Sequence, residues 1–282
     1  MPILAVDVGG TKLAAGLVSE DGQLRSRRAT PTVEGTDAEV LFGALADLVQ
    51  TVDPDGVATC VGVGCGGPMD RGGEHVSPLN IPAWRAFPLR GRLAALTGRP
   101  VFVDNDAKAL ALGEGWVGAA AGRRDYLAMV VSTGIGGGIV CDGRLLDGRN
   151  GNAGHIGHIT VEPEGVECVC GARGCLEAEA SGTAIARITG RPPAEAPGAV
   201  VARTGMLVGR AVATVANLLD LDLAIVAGSV ALGYGAPFFT AAQAEIDARC
   251  RIEFARATRI IPGGLGPDGP LIGAAAVALR TV

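Results

Sequence analysis

The feature that most constrains the fold is a pattern that occurs twice. An apolar run, a glycine-containing turn and a second apolar run form ILAVDVGGTKLAAGLV near the N-terminus, and YLAMVVSTGIGGGIV repeats the pattern from Tyr126. Each segment predicts a β-hairpin with a polar, glycine-rich tip. Because each hairpin opens a half-chain of alternating strands and helices, we expect a duplicated α/β fold with two lobes. Such a pair would place the two tips facing each other across a cleft.

The predicted lobes divide the chain shortly after the motif VDNDA. The smaller N-terminal α/β lobe is expected to span residues 1–107, and the larger C-terminal α/β lobe residues 108–269. The final small-residue helix, at about 270–282, is expected to pack back on the first lobe. A length of 282 residues and a hydrophobic fraction of 48% allow two cores of this kind.

Charge and composition exclude several classes of partner. The net charge is −5, and the chain has no block of Lys or Arg, so we expect neither nucleic acid nor a membrane as a partner. The N-terminus lacks the basic segment of a signal peptide and reaches Asp7 almost at once. Three of the seven cysteines lie within residues 168–175, which favours a metal over disulfides and therefore a reducing, cytoplasmic location.

The first hairpin tip, Asp7 to Lys12, has the composition of a phosphate cradle. A turn through Gly9 and Gly10 leaves backbone N–H groups free to bind phosphate oxygens, with Thr11 as a further donor and Lys12 as a charge. Asp7, at the end of the predicted strand, could hold Mg²⁺ through water. The alternative is an ordinary hairpin that needs glycine at positive φ.

The second tip, Ser132 to Gly138, contains three consecutive glycines where a strand should run. Because glycines weaken a strand, the close approach of a polyphosphate is a candidate reason for them. A dinucleotide-binding fingerprint is the alternative, but no helix follows the glycines. Further along, Gly228-Ser229 follows the apolar strand LAIVA, where an adenine ring could lie against backbone. An ordinary turn would explain that pair equally well.

The segment Val103 to Ala107, VDNDA, carries two carboxylates where a strand ends and a helix begins. A helix N-cap explains one polar residue at such a position. Since one cap is enough, a second carboxylate remains available as a general base.

A metal site is predicted between His158 and Cys175. One imidazole and the thiols of Cys168, Cys170 and Cys175 match a closed, tetrahedral Cys₃His zinc site. The alternative, four scattered core residues, fits poorly with the interleaved Gly171 and Gly174. With all four positions filled by protein, this Zn²⁺ would be structural.

Taken in order, these motifs resemble the ROK sugar kinases, within the hexokinase and actin-like ATPase superfamily. The resemblance covers nearly the whole chain and consists of DVGGTK, GVGCGGPMD, the Asn80 loop, VDNDA, STGIGGG, the His/Cys signature and IVAGSV. It implies a two-lobed, ribonuclease H-like fold with duplicated phosphate tips and a zinc-stabilised loop. It also implies an ATP- and Mg²⁺-dependent phosphotransferase that acts on the C6 hydroxyl of a hexose, and a homodimer.

The resemblance assigns roles to individual residues. Asp106 would be the catalytic base that takes the proton from the C6 hydroxyl. The residues implied to bind the sugar are Gly66, Asn80, Asn105, Asp106, His155, His158 and Glu177. The residues implied to bind the nucleotide and its metal are Asp7, Gly9, Gly10, Thr11, Lys12, Thr133, Gly134, Gly136, Gly137, Gly228 and Ser229.

One position departs from the usual family pattern. Most members have Glu in a GExGH motif, whereas this chain has His155 in GHIGH, as in the bacterial N-acetylmannosamine kinases. A carboxylate accepts hydrogen bonds from the hydroxyls of glucose, but an acetamido group presents a carbonyl and needs a donor, which an imidazole can be. The expected substrate is therefore N-acetylmannosamine. The alternatives are a glucokinase, a kinase of another 2-substituted hexose, and a sugar-sensing protein without turnover.

Overall fold

The computed structural model describes residues 1–32, 35 and 37–280, which form two five-stranded sheets and surrounding helices. The strands are β1 (Ile3–Val8), β2 (Lys12–Val18), β3 (Leu24–Pro31), β4 (Cys60–Cys65), β5 (Val101–Asn105), β6 (Tyr126–Val131), β7 (Ile135–Cys141), β8 (Arg144–Leu145), β9 (Leu223–Ala227) and β10 (Arg259–Pro262). The α-helices are α1 (Ala38–Val52), α2 (Leu89–Thr97), α3 (Asp106–Val117), α4 (Leu176–Ala180), α5 (Gly182–Thr189), α6 (Gly198–Leu219), α7 (Ser229–Tyr234), α8 (Ala236–Arg249) and α9 (Gly269–Leu279).

The two sheets have the same topology, so the predicted duplication is confirmed. The first has the strand order β3-β2-β1-β4-β5, and the second has the order β8-β7-β6-β9-β10. In each, a hairpin and its third strand pair antiparallel, and the hairpin's first strand continues through two parallel strands. Because the carboxyl ends of parallel strands meet at one edge, each sheet brings its hairpin tip beside the loops that follow its parallel strands.

The chain divides into two compact units. Unit 1 comprises Met1–Ala121, Asp147–Ala153 and Leu265–Val282, and unit 2 comprises Gly122–Leu146 and Gly154–Gly264. The expected lobe boundary after Ala107 differs from this division, because α3 belongs wholly to unit 1. The helix expected at about 270–282 is α9, which ends at Leu279, and residues 281 and 282 lie outside the described part of the chain.

Unit 1 has helices on both faces of its sheet. Leu4 and Val6 pack in one core with Leu45 and other residues of α1 and α2, while Ile3 and Ala5 pack in a second core with α9. Successive side chains of β1 thus point alternately into the two cores, as expected for a strand buried on both faces. Asp7 continues the row of Ile3 and Ala5, so the strand carries a carboxylate into the core at its end.

Unit 2 has its core between the second sheet and α6, α7 and α8. Among the described residues, α6 is the one helix long and apolar enough to cross a membrane by length and composition. However, 61% of its apolar window is buried inside the protein, and it packs against α8. It is a core helix of unit 2.

Candidate active site and metal centre

The β1–β2 tip is a closed turn on which Asn80 lies. The N–H of Gly9 donates to the carbonyl of Lys12 at 3.0 Å, and the hydroxyl of Thr32 donates to the carbonyl of Gly9 at 2.8 Å. A Cβ atom at Gly10 would lie 2.5 Å from the Cβ of Asn80, so glycine is required where the two segments meet. The tip therefore places Asn80, an expected sugar-binding residue, against an expected phosphate-binding turn.

The carboxyl of Asp7 is buried beside this tip, with 8% of the residue exposed. Burial and, to a smaller extent, the negative charge of Asp106 together raise the pKa of Asp7 to about 7, with the charge of Lys12 offsetting part of the effect. Two carboxyl groups that repel each other at a strand end are the oxygen donors that Mg²⁺ prefers. The residues present thus fit the expected metal.

At the junction of β5 and α3, the helix N-cap and the expected catalytic base are different residues of VDNDA. The N-cap of α3 is Asn105, whose Oδ1 accepts from the N–H of Ala107 at 3.0 Å and of Lys108 at 3.4 Å. Asp106 is the first residue of the helix and is exposed. Asn105 is thus the N-cap, and Oδ1 of Asp106 also accepts from the N–H of Ala107, at 2.8 Å, so the junction exposes a second carboxylate beside the capping residue.

The loop after β4 completes the same edge of unit 1. The N–H of Gly66 donates to the carbonyl of Val8 at 3.4 Å, and a Cβ atom at Gly67 would lie 3.4 Å from Nδ2 of Asn105. Register pairs Cys65 with both Val8 and Asn105 across the three parallel strands. Gly66, Asn80, Asn105 and Asp106 therefore belong to one end of one sheet.

A partly buried ion cluster that the sequence did not predict fixes this junction. The Nζ of Lys108 lies 2.8 Å from Asp104 and 2.8 Å from Asp147, and it donates to the carbonyl of Gly151 at 3.1 Å. Arg280 pairs with the same two carboxylates, at 2.9 Å to Asp104. Burial acts to raise the pKa of Asp147, but hydrogen bonds from Arg280 and Lys108 hold that pKa below its usual value. Two cations and two carboxylates thus hold residues 147–153 on α3.

The β6–β7 tip of unit 2 is held by hydrogen bonds from a neighbouring helix. The N–H of Gly182 donates to the carbonyl of Ser132 at 2.7 Å, and the hydroxyl of Thr183 donates to the carbonyl of Thr133 at 3.0 Å. The hydroxyl groups of Ser132 and Ser229 lie 2.9 Å apart. The structure therefore brings together the tip and the Gly228-Ser229 turn, two segments expected to bind one nucleotide.

Packing within unit 2 explains several glycines that the sequence analysis linked to ligands. A Cβ atom at Gly137 would lie 2.9 Å from the Cγ2 of Ile156, and one at Gly154 would overlap the carbonyl of Gly137. Likewise, Gly228 has a φ of 100°, and its Cβ atom would overlap the carbonyl of Val131. The loop that contains GHIGH lies directly on β7 and requires Gly137 and Gly154, and the contact with β6 requires Gly228, whatever the tip binds.

The four predicted metal ligands come together. The ligand atoms of His158, Cys168, Cys170 and Cys175 all lie within 4.8 Å of one another, and Nδ1 of His158 is 3.7 Å from the sulfur of Cys168. One imidazole and three thiols match the donor set of a structural zinc site. With Nδ1 at the thiols, the other ring nitrogen of His158 remains for a second partner. The ring of His155 lies 6.1 Å from that of His158.

The thiols differ in their electrostatic surroundings. A hydrogen bond from the backbone N–H of Ala172 lowers the pKa of Cys170, which favours the thiolate, the form that binds metal. Burial raises the pKa of Cys175 to about 12. A bound cation would favour the thiolate form at all three cysteines. Cys170 ionises readily by itself, whereas Cys175 would need the charge of the metal to ionise.

Glu177 follows Cys175 by two residues and reaches the second tip. Its Oε2 accepts a hydrogen bond of 2.9 Å from the N–H of Ile135, the first residue of β7. The sequence placed Glu177 among the sugar-binding residues and missed this bond, because no local pattern joins positions 42 residues apart.

Comparison with known proteins identifies the family. Residues 3–281 match the profile of the ROK family. A glucokinase of Thermotoga maritima is 44% identical over 189 residues, which are 66% of this chain and 59% of that protein. An N-acetylmannosamine kinase of Citrobacter koseri is 38% identical over 251 residues, 83% of this chain and 86% of that protein.

Comparison with solved structures gives the same family. The ROK hexokinase of Thermus thermophilus has a TM-score of 0.86 at 35% identity, covering 100% of this chain and 99% of that one. A ROK glucokinase from Streptomyces griseus in complex with glucose and AMPPNP has a TM-score of 0.84 at 30% identity, covering 98% of both chains. The fold and these relatives define a phosphotransferase of the sugar-kinase class. The chain belongs to the ROK family, so the resemblance and the fold class predicted from the sequence are confirmed.

Proposed function

We propose that this chain is an ATP-dependent hexose kinase that phosphorylates the C6 hydroxyl of N-acetylmannosamine. The observation that carries the proposal is the exposed carboxylate of Asp106 at the start of α3, in a ROK-family chain where Asn105 already caps the helix. A carboxylate exposed at the start of a helix can take a proton from an attacking hydroxyl.

The proposed chemistry consists mainly of positioning. Asp106 accepts the C6 proton, while Asn105, Asn80 and Gly66 orient the sugar from the same edge of unit 1. Gly9 to Lys12 and Thr133 to Gly137 hold the phosphates, and Gly228 and Ser229 lie near the adenosine. Mg²⁺, held by Asp7 through water, supplies charge neutralisation at the phosphates when bound. Phosphoryl transfer asks little covalent chemistry of the protein, so this set is sufficient.

The preference for N-acetylmannosamine rests on His155. An imidazole can donate a hydrogen bond to the carbonyl of an acetamido group, whereas a carboxylate there would be desolvated and unpaired. The N-acetylmannosamine kinase of Citrobacter koseri, matched over 83% of this chain, supports the same substrate. The glucokinase relatives keep glucose as the second candidate. In both cases His158 and Glu177 contact the C1–C2 side of the sugar.

Further parts of the proposal concern the metal and the assembly. The Cys₃His cluster holds one structural Zn²⁺ per chain, since its donors are those of a closed zinc site. We propose a homodimer in the cytoplasm. The homodimer rests on family resemblance, and the cytoplasmic location rests on the three clustered thiols, which fit a reducing compartment.

A substrate panel tests the proposal. ADP release is measured with N-acetylmannosamine, N-acetylglucosamine, mannose and glucose, for the wild type and for His155→Glu. We expect kcat/KM for N-acetylmannosamine to exceed that for glucose by about tenfold or more, and His155→Glu to narrow or reverse the ratio. A wild type that prefers glucose would remove the substrate claim. Sugar binding without turnover, with either ATP or inorganic polyphosphate as donor, would favour the sugar-sensing alternative.

A further inference from the structure

Glu177 lies at the point where the metal cluster, the GHIGH loop and the β6–β7 tip meet. Its Oε2 accepts a hydrogen bond of 2.9 Å from the N–H of Ile135, and a Cβ atom at Gly134 would lie 2.9 Å from the same oxygen. The carboxylate thus supports the tip at the residue where β7 begins. A charged acceptor makes a stronger bond to a backbone N–H than a neutral one does.

The other end of Glu177 is fixed by the metal cluster. Cys175 is the N-cap residue of α4, and Leu176 donates from its N–H to the carbonyl of Ile159 at 2.9 Å, next to His158. Two of the metal-ligating residues therefore flank the start of the helix that carries Glu177. Any shift of the cluster moves this short helix, because α4 spans only five residues.

The GHIGH loop, the helix α4 and the β6–β7 tip are in close contact. A Cβ atom at Gly157 would lie 3.3 Å from the Cβ of Glu177, and it would overlap the carbonyl of Ile135. Gly157 of GHIGH thus lies in close contact with both the helix that carries Glu177 and the tip. A close-packed contact of this kind transmits a displacement instead of absorbing it.

We propose that Glu177 is a positioning residue for the nucleotide. Through its bond to the N–H of Ile135, it makes the affinity of the β6–β7 tip for phosphates depend on an occupied metal cluster. The proposal rests on the proposed kinase function and adds a second duty to a residue expected to contact only the sugar. The metal then sets nucleotide affinity as well as the stability of the loop.

Nucleotide affinity without sugar separates this duty from sugar binding. The dissociation constant for AMPPNP with Mg²⁺ is measured by calorimetry for the wild type and for three variants of Glu177. We expect Glu177→Ala and the shorter Glu177→Asp to weaken binding about tenfold, and Glu177→Gln, whose amide oxygen still accepts the bond, to stay within about threefold. The control Glu164→Ala removes an exposed charge from the same loop and should match the wild type.

Metal removal supplies the second arm. After chelation, nucleotide binding by the wild type should weaken about as much as in Glu177→Ala. The effects of chelation and of the substitution on the dissociation constant should not add, because both act through the bond between Glu177 and Ile135. Hydrogen exchange at the amide of Ile135 should accelerate in Glu177→Ala, Glu177→Asp and the chelated protein. Protection of Met129 in β6 shows that unit 2 stays folded. Conservative rescue by Gln distinguishes positioning from a general loss of structure.

Different results would overturn different claims. If Glu177→Ala and Glu177→Asp raise the KM for sugar but leave both AMPPNP affinity and Ile135 exchange unchanged, the positioning role is wrong and the kinase assignment stands. If the wild type binds no AMPPNP at all, the kinase proposal and the positioning role fail together.

Discussion

The β1–β2 tip and the β6–β7 tip occupy equivalent places in two sheets of the same topology, but their chemistry differs. The first contains ionisable residues of its own, the buried Asp7 and the exposed Lys12. The second, Ser132 to Gly138, contains no ionisable residue. A neighbouring charge comes from Glu177, in another segment.

The difference shows how a duplicated backbone can divide labour. In unit 1 the strand ends hold the carboxyl of Asp7, whose pKa is raised by burial and by the nearby charge of Asp106. In unit 2 the tip is held by helix N–H groups, a hydroxyl pair and a carboxylate next to the cluster of His158 and three cysteines. Substitutions in unit 1 should therefore change rate and pH dependence, and those in unit 2 should change stability and affinity.

The largest effect is expected from Asp106→Asn. The amide cannot accept the C6 proton, so kcat should fall by about 10³-fold or more while the sugar dissociation constant stays within about threefold. Steady-state kinetics and calorimetry with the sugar measure the two quantities. Asp55→Asn, which changes an exposed carboxylate elsewhere in unit 1, is the control. Retained turnover in Asp106→Asn would show that unit 1 does not supply the base.

The next largest effect is expected from Cys170→Ser, which should lower the stability of the protein. Loss of one thiolate should release the metal and lower the free energy of unfolding by about 4 kcal/mol. Metal analysis and chemical denaturation check both changes, with about one zinc per chain expected in the wild type. Cys141→Ser, in β7 and outside the cluster, should keep its metal. A metal-free wild type that is folded and fully active would contradict the structural zinc site.

Asp7→Asn should change how stability depends on pH. The pKa of Asp7 is about 7 in the folded protein, against an ordinary value of 3.8, so between these values the folded state keeps a proton that the unfolded chain has lost. The free energy of unfolding therefore falls as pH rises through this window. Between pH 5 and pH 8 the wild type should lose about 2 kcal/mol more than Asp7→Asn. Denaturation at the two pH values measures this, and equal losses would show that Asp7 is ionised in the fold.

Ser229→Ala should have the smallest effect. It removes the hydroxyl 2.9 Å from that of Ser132, on an exposed part of unit 2, so affinity for AMPPNP should weaken by about two- to fivefold with kcat little changed. Calorimetry is sensitive enough to detect the change. An unaltered affinity would mean that the hydroxyl pair joins the two segments without a part in nucleotide binding.

Local patterns accounted for much of the fold and of the metal cluster. Both hairpins and the strand LAIVA follow from runs of apolar residues and from turn glycines, which act over a few residues. The His158 to Cys175 cluster lies within one short stretch of chain, so spacing alone was informative.

Features that depend on distant partners were not predictable in the same way. Lys108 binds Asp147 across 39 residues, and Arg280 binds Asp104 across 176. Hydrophobic periodicity in the sequence cannot predict ion pairs between such distant residues. The glycine run of β7 was assigned to an approaching polyphosphate because the sequence did not show that Ile156 and Gly154 lie on that strand. A glycine records that something is close but not what it is.

The ion cluster around Lys108 has a practical consequence for chemical labelling. The chain has only two lysines, and the amine of Lys108 is sequestered by Asp104 and Asp147. Lys12, at the β1–β2 tip, is exposed. Apart from the terminal amine, an acylating reagent therefore meets one side chain. A fluorophore attached there, or the protection of that amine by a polyphosphate, would report occupancy of the tip from a single covalent position.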